Sequence, residues 1–235
     1  MPLILNIETA TSVCSVSLAS GAETIAIRES KEKNIHATKV TLFAEEVCHD
    51  ARIGMNQLDA IAVSKGPGSY TGLRIGVSTA KGFCYALGIP LISVPTLQSM
   101  ALQASRKFKP DHTVKVKVLY CPMIDARRME VYTALYDTGN REVMPVEAMI
   151  IDEASFEKEL VDKQIYYFGD GAEKCKATLE KSGMTYIEGI FNTSESMAAI
   201  SAEKFLNQDF EDLAYFEPYY LKDFISGKPK VKGLR

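Results

Sequence analysis

The pattern of hydrophobic and polar positions changes its period several times along the chain and predicts alternating strands and helices. Three short apolar or alternating runs, residues 3–7, 13–19 and 24–28, are joined by brief polar turns, which is typical of an antiparallel meander. Over residues 36–51, apolar side chains recur at i, i+3 and i+4 while charged ones occupy the opposite face, which predicts an amphipathic helix. The chain therefore opens with three strands and a helix.

A glycine-rich segment lies between the next strand and helix. The apolar run 60–64 predicts a buried strand, residues 66–76 (GPGSYTGLRIG) hold four glycines and a proline, and residues 75–87 predict a helix. A strand follows over 90–94, and another helix begins near Thr96. The glycine spacing fits neither GxGxxG nor GxxxxGK[ST]. The residues alone therefore leave two interpretations open, a tight structural turn or a loop that binds an anion.

Beyond a polar stretch at residues 106–113, strands and helices recur in a less regular form. The predicted elements are strands 114–123 and 130–136, helix 153–162, strand 165–169, and helices 172–181 and 195–207. We interpret the recurrence as a weak internal duplication, with an N-terminal lobe of residues 1–106 and a C-terminal lobe of residues 107–221. A return of the last helices to the first lobe stays open. Residues 222–235 predict a mobile basic tail.

Composition narrows the class of protein and its compartment. Of the 235 residues, 46% are hydrophobic and 24% charged, which is ordinary for a globular protein with a full core. The formal net charge of −3 argues against a surface that holds nucleic acid unaided. Five scattered cysteines without CxxC spacing predict buried, reduced thiols, and no apolar run approaches the roughly 20 residues that span a bilayer. We therefore expect a cytoplasmic protein without a signal peptide or a membrane span.

Two separate motifs resemble a known family. The segment ILNIETA, at residues 4–10, is similar to the first phosphate-side hairpin of the actin, sugar kinase and Hsp70 superfamily (ASKHA). Together with KGPGSYTGLRIGVSTAKGFCYALGIPLISV, at residues 65–94, it resembles the family of tRNA threonylcarbamoyladenosine proteins, and within it the shorter companion of the catalytic member TsaD. The resemblance implies an α/β fold of two actin-like, Hsp70-like lobes (ribonuclease H-like), with mixed sheets flanked by helices.

The same resemblance implies that a metal site has been lost. In TsaD, a His-x-x-x-His pair holds the metal, and its two positions fall on Thr96 and Met100 here. A hydroxyl and a thioether do not replace two imidazoles. Histidine occurs only at positions 36, 49 and 112, without the i, i+4 spacing that a shared ion needs. We therefore predict no metal and no catalytic residue, and a metalloprotease is disfavoured because HExxH is missing.

Two short segments are candidates for contact with a nucleotide. Glu8 and Thr9 lie where the superfamily orients a metal ion or phosphate, and Gly169, Asp170 and Gly171 lie where its nucleotides rest. Each segment also has a plain structural interpretation, a polar hairpin turn in the first case and a strand-to-helix turn in the second. No firm cofactor is predicted, and binding of ATP or ADP at the interface of a complex stays open.

Small and apolar residues on the two N-terminal helices predict an interface with a partner protein. The predicted contact residues are Val40, Phe43, Val47, Arg74, Gly76, Ala80 and Phe83. A glycine inside a helix costs about 1 kcal/mol relative to alanine, and that cost is usually tolerated where another backbone comes close. Core packing explains part of this pattern, and Arg74 is equally suited to brace the glycine loop.

The leading hypothesis, implied by the resemblance, is a non-catalytic scaffold that activates the formation of N6-threonylcarbamoyladenosine beside the anticodon of tRNAs. The chain would pair with a TsaD homologue, a TsaE homologue would dock on the pair, and tRNA would be contacted indirectly. Without its partner the chain would be a homodimer or a monomer. The competing hypothesis is an independent ASKHA-type phosphotransferase, for which only fragments of a nucleotide cradle are present. The turn at Asp125, Arg127 and Arg128 favours surface salt bridges over a substrate role.

Overall fold

The first half of the chain folds around a mixed sheet of five strands. The structure is a computed structural model, and it describes residues 1–32, 34–108 and 116–222. The strands of this first sheet are β1 (Leu3–Glu8), β2 (Cys14–Ser20), β3 (Glu23–Ser30), β4 (Ala60–Gly66) and β5 (Leu91–Pro95). Their order is β3-β2-β1-β4-β5, with antiparallel pairing in the β1–β3 meander and parallel pairing from β1 through β4 to β5.

The second half repeats this arrangement. The strands of the second sheet are β6 (Lys117–Asp125), β7 (Glu130–Asp137), β8 (Glu142–Ile150), β9 (Lys163–Phe168) and β10 (Thr185–Tyr186). Their order is β10-β9-β6-β7-β8, again an antiparallel meander beside a parallel group. The duplication predicted from the sequence is therefore present in the sheet topology.

Helices connect and cover the sheets. They are α1 (His36–Ala51), α2 (Tyr70–Leu87), α3 (Thr96–Lys107), α4 (Glu157–Leu160), α5 (Lys176–Leu179) and α6 (Ala198–Leu206), with short 3-10 turns at Met55–Gln57, Glu173–Cys175 and Ser194–Met197. None of the helices in the described part of the chain is long and apolar enough to cross a membrane.

The predicted helices of the second half are shorter in the structure. The helix predicted over 153–162 reduces to the single turn α4, because Phe156 and Asp162 take left-handed backbone angles (φ 66° and 56°) that end a helix. The helix predicted over 172–181 becomes a 3-10 turn followed by α5. Strand β8 was not predicted. The predicted strand start at 114 and most of the predicted tail lie outside the described residues.

Each sheet is covered partly by a helix from the other half of the chain. Helices α1 and α2 pack on one face of the first sheet, and its other face is covered by Ile200 and Ala202 of α6 and by Met197 of the preceding 3-10 turn. Helix α3 leaves the first sheet and packs on the second, where Leu97 and Met100 lie against Tyr120 and Phe168. All five cysteines are free and buried, as the sequence predicted.

Candidate functional site

The glycine-rich segment packs directly on the turn between β1 and β2. A methyl group added at Gly68 would lie 2.4 Å from the carbonyl oxygen of Ala10, and one at Gly72 would lie 2.1 Å from that of Thr9. At Gly76 it would meet Thr9 Oγ1 at 2.2 Å. These distances are too short for any side chain. The glycines therefore let the first turns of α2 touch the hairpin backbone.

The start of the segment is covered as well. A methyl group at Gly66 (φ 109°) would lie 2.6 Å from the carbonyl oxygen of Tyr219, whose own N–H donates to the carbonyl of Lys65 at 2.7 Å. The backbone N–H of Gly66 donates to Thr96 Oγ1 at 3.1 Å, and that of Gly72 to Ser69 Oγ at 3.2 Å. These contacts favour the structural-turn interpretation, because the backbone that an anion would approach is already in contact with the chain itself. Helix α2 also begins five residues earlier than predicted, at Tyr70.

The Glu8 carboxyl group is buried beneath this turn. Its Oε1 accepts a hydrogen bond from the Ala10 N–H at 2.6 Å, whereas its Oε2 and Thr9 Oγ1 have no partner among the described residues. Burial raises the pKa of Glu8 to about 7, although Ser64 and Asn192 beside it favour the charged form. The side chain is fully covered, so its chemistry is that of a buried acid rather than of an exposed phosphate or metal ligand.

The segment Gly169–Gly171 makes a similar contact in the second half. A methyl group at Gly169 (φ 107°) would lie 2.3 Å from the carbonyl oxygen of Met123, and one at Gly171 would lie 2.7 Å from the carbonyl carbon of Ile124. Asp170 Oδ1 accepts a hydrogen bond from the Asp125 N–H at 3.1 Å. The turn thus packs on the end of β6, and no described hydrogen bond joins it to Glu8 or Thr9.

The two positions that correspond to the metal histidines of TsaD have structural contacts here. Thr96 is fully buried, and its hydroxyl accepts the N–H of Gly66. Met100 is also buried, and its methyl group would be 2.8 Å from a methyl added at Gly169. A hydroxyl already engaged with the backbone and a packed thioether do not suit a metal ion.

Most of the predicted interface residues lie inside the protein. Val40, Phe43, Val47, Gly76 and Ala80 are buried, and the four with side chains pack in the core between α1, α2 and the first sheet. The physical reason is that the apolar stripe of an amphipathic helix faces the core of its own chain first. These five residues are therefore assigned to the core rather than to an exposed interface.

The remaining two residues differ from each other. Phe83 is partly buried and packs against the same core. Arg74 is exposed; its Nε donates to the hydroxyl of Tyr220 at 3.2 Å, and its guanidinium lies 4.5 Å from the ring centre of Tyr70. Arg74 therefore braces the C-terminal segment against α2, whereas the sequence interpretation had it brace the glycine loop.

Most of the contact residues predicted from the sequence lie on the apolar stripes of α1 and α2, and not on the outward face of α2. Its exposed residues are Thr71, Arg74, Ser78, Gly82, Tyr85 and Ala86. Tyr85 is 85% exposed, and a methyl group added at Gly82 would meet nothing within 4 Å. Nothing within the described chain therefore requires glycine at position 82. The available signal was a helix glycine that lies off the buried stripe.

Comparisons with known proteins identify the family of this chain. The model of the family described as "TsaD: tRNA N6-adenosine threonylcarbamoyltransferase" matches residues 29–224. The tRNA threonylcarbamoyladenosine biosynthesis protein TsaB of Bacillus subtilis (strain 168) is 32% identical over 75% of this chain and 75% of its own length. The chain belongs to this family, on its TsaB branch. The TsaB of Escherichia coli (strain K12) is 28% identical over 98% of both chains.

Solved structures show the same fold beyond the TsaB proteins. YeaZ from Pseudomonas aeruginosa superposes with a TM-score of 0.78 at 21% identity, over 94% of this chain and 100% of its own. The activator of 2-hydroxyisocaproyl-CoA dehydratase from Clostridium difficile, solved with bound ADPNP, superposes with a TM-score of 0.50 at 7% identity, over 88% and 97% of the two chains. The predicted two-lobed, actin-like α/β fold with mixed sheets is confirmed.

Proposed function

We propose that this chain is a non-catalytic subunit of the machinery that forms N6-threonylcarbamoyladenosine in tRNA. It acts as a scaffold that pairs with a TsaD homologue. The observation that carries this proposal is the outward face of α2, where Gly82 leaves an open backbone that the chain itself does not use. An interior helix glycine costs about 1 kcal/mol relative to alanine, and a close-packed partner helix offsets that cost.

The absence of a catalytic role is supported by what fills the candidate sites. Thr96 and Met100 provide no metal ligands, the glycine turn is packed on Thr9 and Ala10, and the Glu8 carboxyl group is buried. The same contacts disfavour an independent phosphotransferase, because it would need an open phosphate cradle. In this proposal ATP or ADP binds to the complex rather than to this chain, and the reaction takes place in the cytoplasm.

The proposed partner surface consists of the exposed residues of α2 around Gly82, namely Ser78, Gly82, Tyr85 and Ala86, together with Leu42 of α1, which is 39% exposed. Buried residues such as Val47 and Ala80 support these helices from below. A TsaE homologue docks on the resulting pair. When TsaD is missing, the same surface is available for a second copy of this chain.

The test is co-purification with the TsaD homologue, using Gly82→Arg. The substitution replaces glycine by a better helix former that has free space, so the melting temperature of the isolated chain should stay the same or rise. Size-exclusion chromatography should show that the complex is lost. Ala177→Arg, on the exposed side of α5, is the matched control and should leave the complex intact. A normal complex with Gly82→Arg would contradict the proposed surface.

A further inference from the structure

The C-terminal segment of the described chain brings cationic and aromatic side chains from both halves together. Residues 211–222, which we call the strap, run along α2 and the glycine turn and end beside the second sheet. Lys81 of α2 holds it by donating to the carbonyls of Ala214 at 3.2 Å and Phe216 at 3.1 Å. Further along the strap, Arg74 donates to Tyr220, whose ring lies 4.8 Å from that of Tyr70.

The end of the strap reaches the turn between β6 and β7. The Lys222 ammonium group forms an ion pair with the Glu130 carboxylate. Glu130 closes the turn that carries Arg127 and Arg128, since its N–H donates to the carbonyl of Arg127 at 3.2 Å. Because Tyr219 and Lys222 are three residues apart, their Cα atoms are at most about 10 Å apart. The tyrosines of the strap and the two arginines therefore belong to one surface.

We propose that this surface binds RNA directly, through the residues Arg74, Arg127, Arg128, Tyr219, Tyr220 and Lys222. The inference rests on the proposed function, because that function brings tRNA to the complex. It goes further by assigning to this chain itself a contact with an unpaired segment of the RNA. We call the six residues the arginine–tyrosine surface.

The ion pairs around this surface leave Arg127 and Arg128 without a carboxylate partner, so both are available to an anion from outside the chain. The two carboxylates that flank them in the sequence, Asp125 and Glu130, already have lysine partners in Lys174 and Lys222. Arg127 and Arg128 are exposed, and neither has an ion pair among the described residues. A phosphate group suits an unpaired arginine, because the planar guanidinium offers it two parallel donors.

The aromatic residues distinguish RNA from a simple polyanion. Tyr219 is 43% exposed, and Tyr220 is partly exposed beside the Arg74 guanidinium. Proteins that bind unpaired RNA combine cations along the backbone with aromatic rings on which the bases stack. An acidic protein would use the arginines but would gain little from the rings.

The sequence that follows this surface is also rich in basic residues. The chain continues from Lys222 toward residues 226–235, which contain Lys228, Lys230, Lys232 and Arg235 and no acidic side chain. The formal net charge of the whole protein is −3, so this run of four cations without an acidic residue is a local departure from the average of the chain. Such a local concentration suits a subunit that adds a contact to RNA held mainly by a partner.

The charge experiment measures binding of an unmodified tRNA transcript with adenosine beside its anticodon, by fluorescence anisotropy. The binding species is the intact complex with the TsaD homologue. Arg127→Gln/Arg128→Gln should weaken binding about tenfold at low salt and reduce the slope of log affinity against log salt by about 1.4, or about 0.7 for each lost phosphate contact. The control Lys107→Gln/Lys158→Gln removes two exposed charges elsewhere and should change neither quantity. Equal losses in the two variants, or no loss in the first, would overturn the proposal.

A second pair of variants tests stacking separately from charge. Tyr219→Ala should weaken binding several-fold, whereas Tyr219→Phe should bind normally because the ring is kept. Tyr215→Ala is the control, since Tyr215 lies in the same strap and is 84% exposed. If polyglutamate displaces the transcript as well as unlabelled RNA does, the surface binds acidic polymers in general and the RNA proposal is wrong. Size-exclusion of each variant with the TsaD homologue separates the proposals, because an intact complex with unchanged RNA affinity contradicts only this one.

Discussion

The two halves of the chain have the same sheet order but very different helices. In the first half, the helices between β3 and β4 and between β4 and β5 have 16 and 18 residues. In the second half, the corresponding helices α4 and α5 have 4 residues each. The long helices are also the ones with the open face around Gly82. The first sheet therefore has a much longer helical cover than the second, and under the proposed function the outward face of α2 is the part of that cover that meets a partner.

The halves agree in one close backbone contact. In each half, a glycine turn after a parallel strand presses on the carbonyl end of the meander: Gly72 on Thr9 in the first, and Gly169 on Met123 in the second. The strand ends differ, however. Glu8, which ends β1, is buried, whereas Asp125, which ends β6, is exposed and paired with Lys174. The first half has therefore enclosed a carboxyl group that the second half leaves in contact with water.

The largest expected effect tests the shared glycine contact. Gly72→Ala should lower the free energy of unfolding by about 3 kcal/mol, because its methyl group would overlap the Thr9 carbonyl and the backbone has no room to move away. Gly169→Ala should have a comparable effect, with added strain from its positive φ. Urea denaturation measures both. If only one of the two substitutions destabilises the protein, the equivalence of the halves is lost.

The next effect tests the difference between the two strand ends. Because the pKa of Glu8 is about 7 in the folded protein and 4.5 is its ordinary value, the folded state binds the proton more tightly. This stabilisation is complete below pH 4.5 and is lost as the pH rises through 7. Between pH 5 and pH 8 the unfolding free energy should therefore fall by roughly 2 kcal/mol through Glu8.

Glu8→Gln should therefore reduce the pH dependence of the unfolding free energy over this range. Asp125→Asn, at the exposed counterpart, is the control and should leave the wild-type dependence in place. Thermal unfolding at several pH values measures the difference. A wild-type protein that is equally stable at pH 5 and pH 8 would contradict the burial of a titrating Glu8.

The smallest of these effects tests the connection between the halves. Thr96→Val should cost about 1–2 kcal/mol, because the buried N–H of Gly66 loses its acceptor while the volume of the side chain is kept. Thr96→Ser retains the hydroxyl and should recover most of the loss. If valine is as stable as serine in chemical denaturation, the hydrogen bond between β4 and the start of α3 contributes little.

The sequence predicted the parts of the fold in which local pattern and tertiary packing agree. The bounds of α1 match because its apolar stripe is also its buried stripe. Gly72 was assigned to a loop before the helix predicted at 75–87, since glycine is a poor helix former, yet its contact with Thr9 lies inside α2. The helix at 153–162 was predicted from the pattern of residues, and the left-handed angle of Phe156 does not show in such a pattern.

The candidate site was predicted less well for a physical reason. The apolar stripe of a helix does not reveal whether it packs on the chain's own sheet or on another protein. In the structure, Val40, Phe43 and Val47 pack in the core with the first sheet. Exposed partner surfaces on a helix are instead indicated by residues that the core does not need, such as Gly82. The arginine–tyrosine surface depends on residues about 90 positions apart, Lys222 and Glu130, which only the fold brings together.

Each sheet is covered partly by a helix from the other half of the chain, and this affects the order in which the protein can fold during synthesis. Helix α6 covers one face of the first sheet, and its Ser201 hydroxyl donates to Asn6 Oδ1 at 2.7 Å. A ribosome that has finished β5 must still add residues 96–206 before this cover exists, which takes roughly 5–20 seconds at ordinary rates of synthesis. During that interval Ile4, Ala62 and Ile92 of the nascent chain are open to water or to a chaperone. The first sheet to be synthesised is therefore among the last parts to be completed.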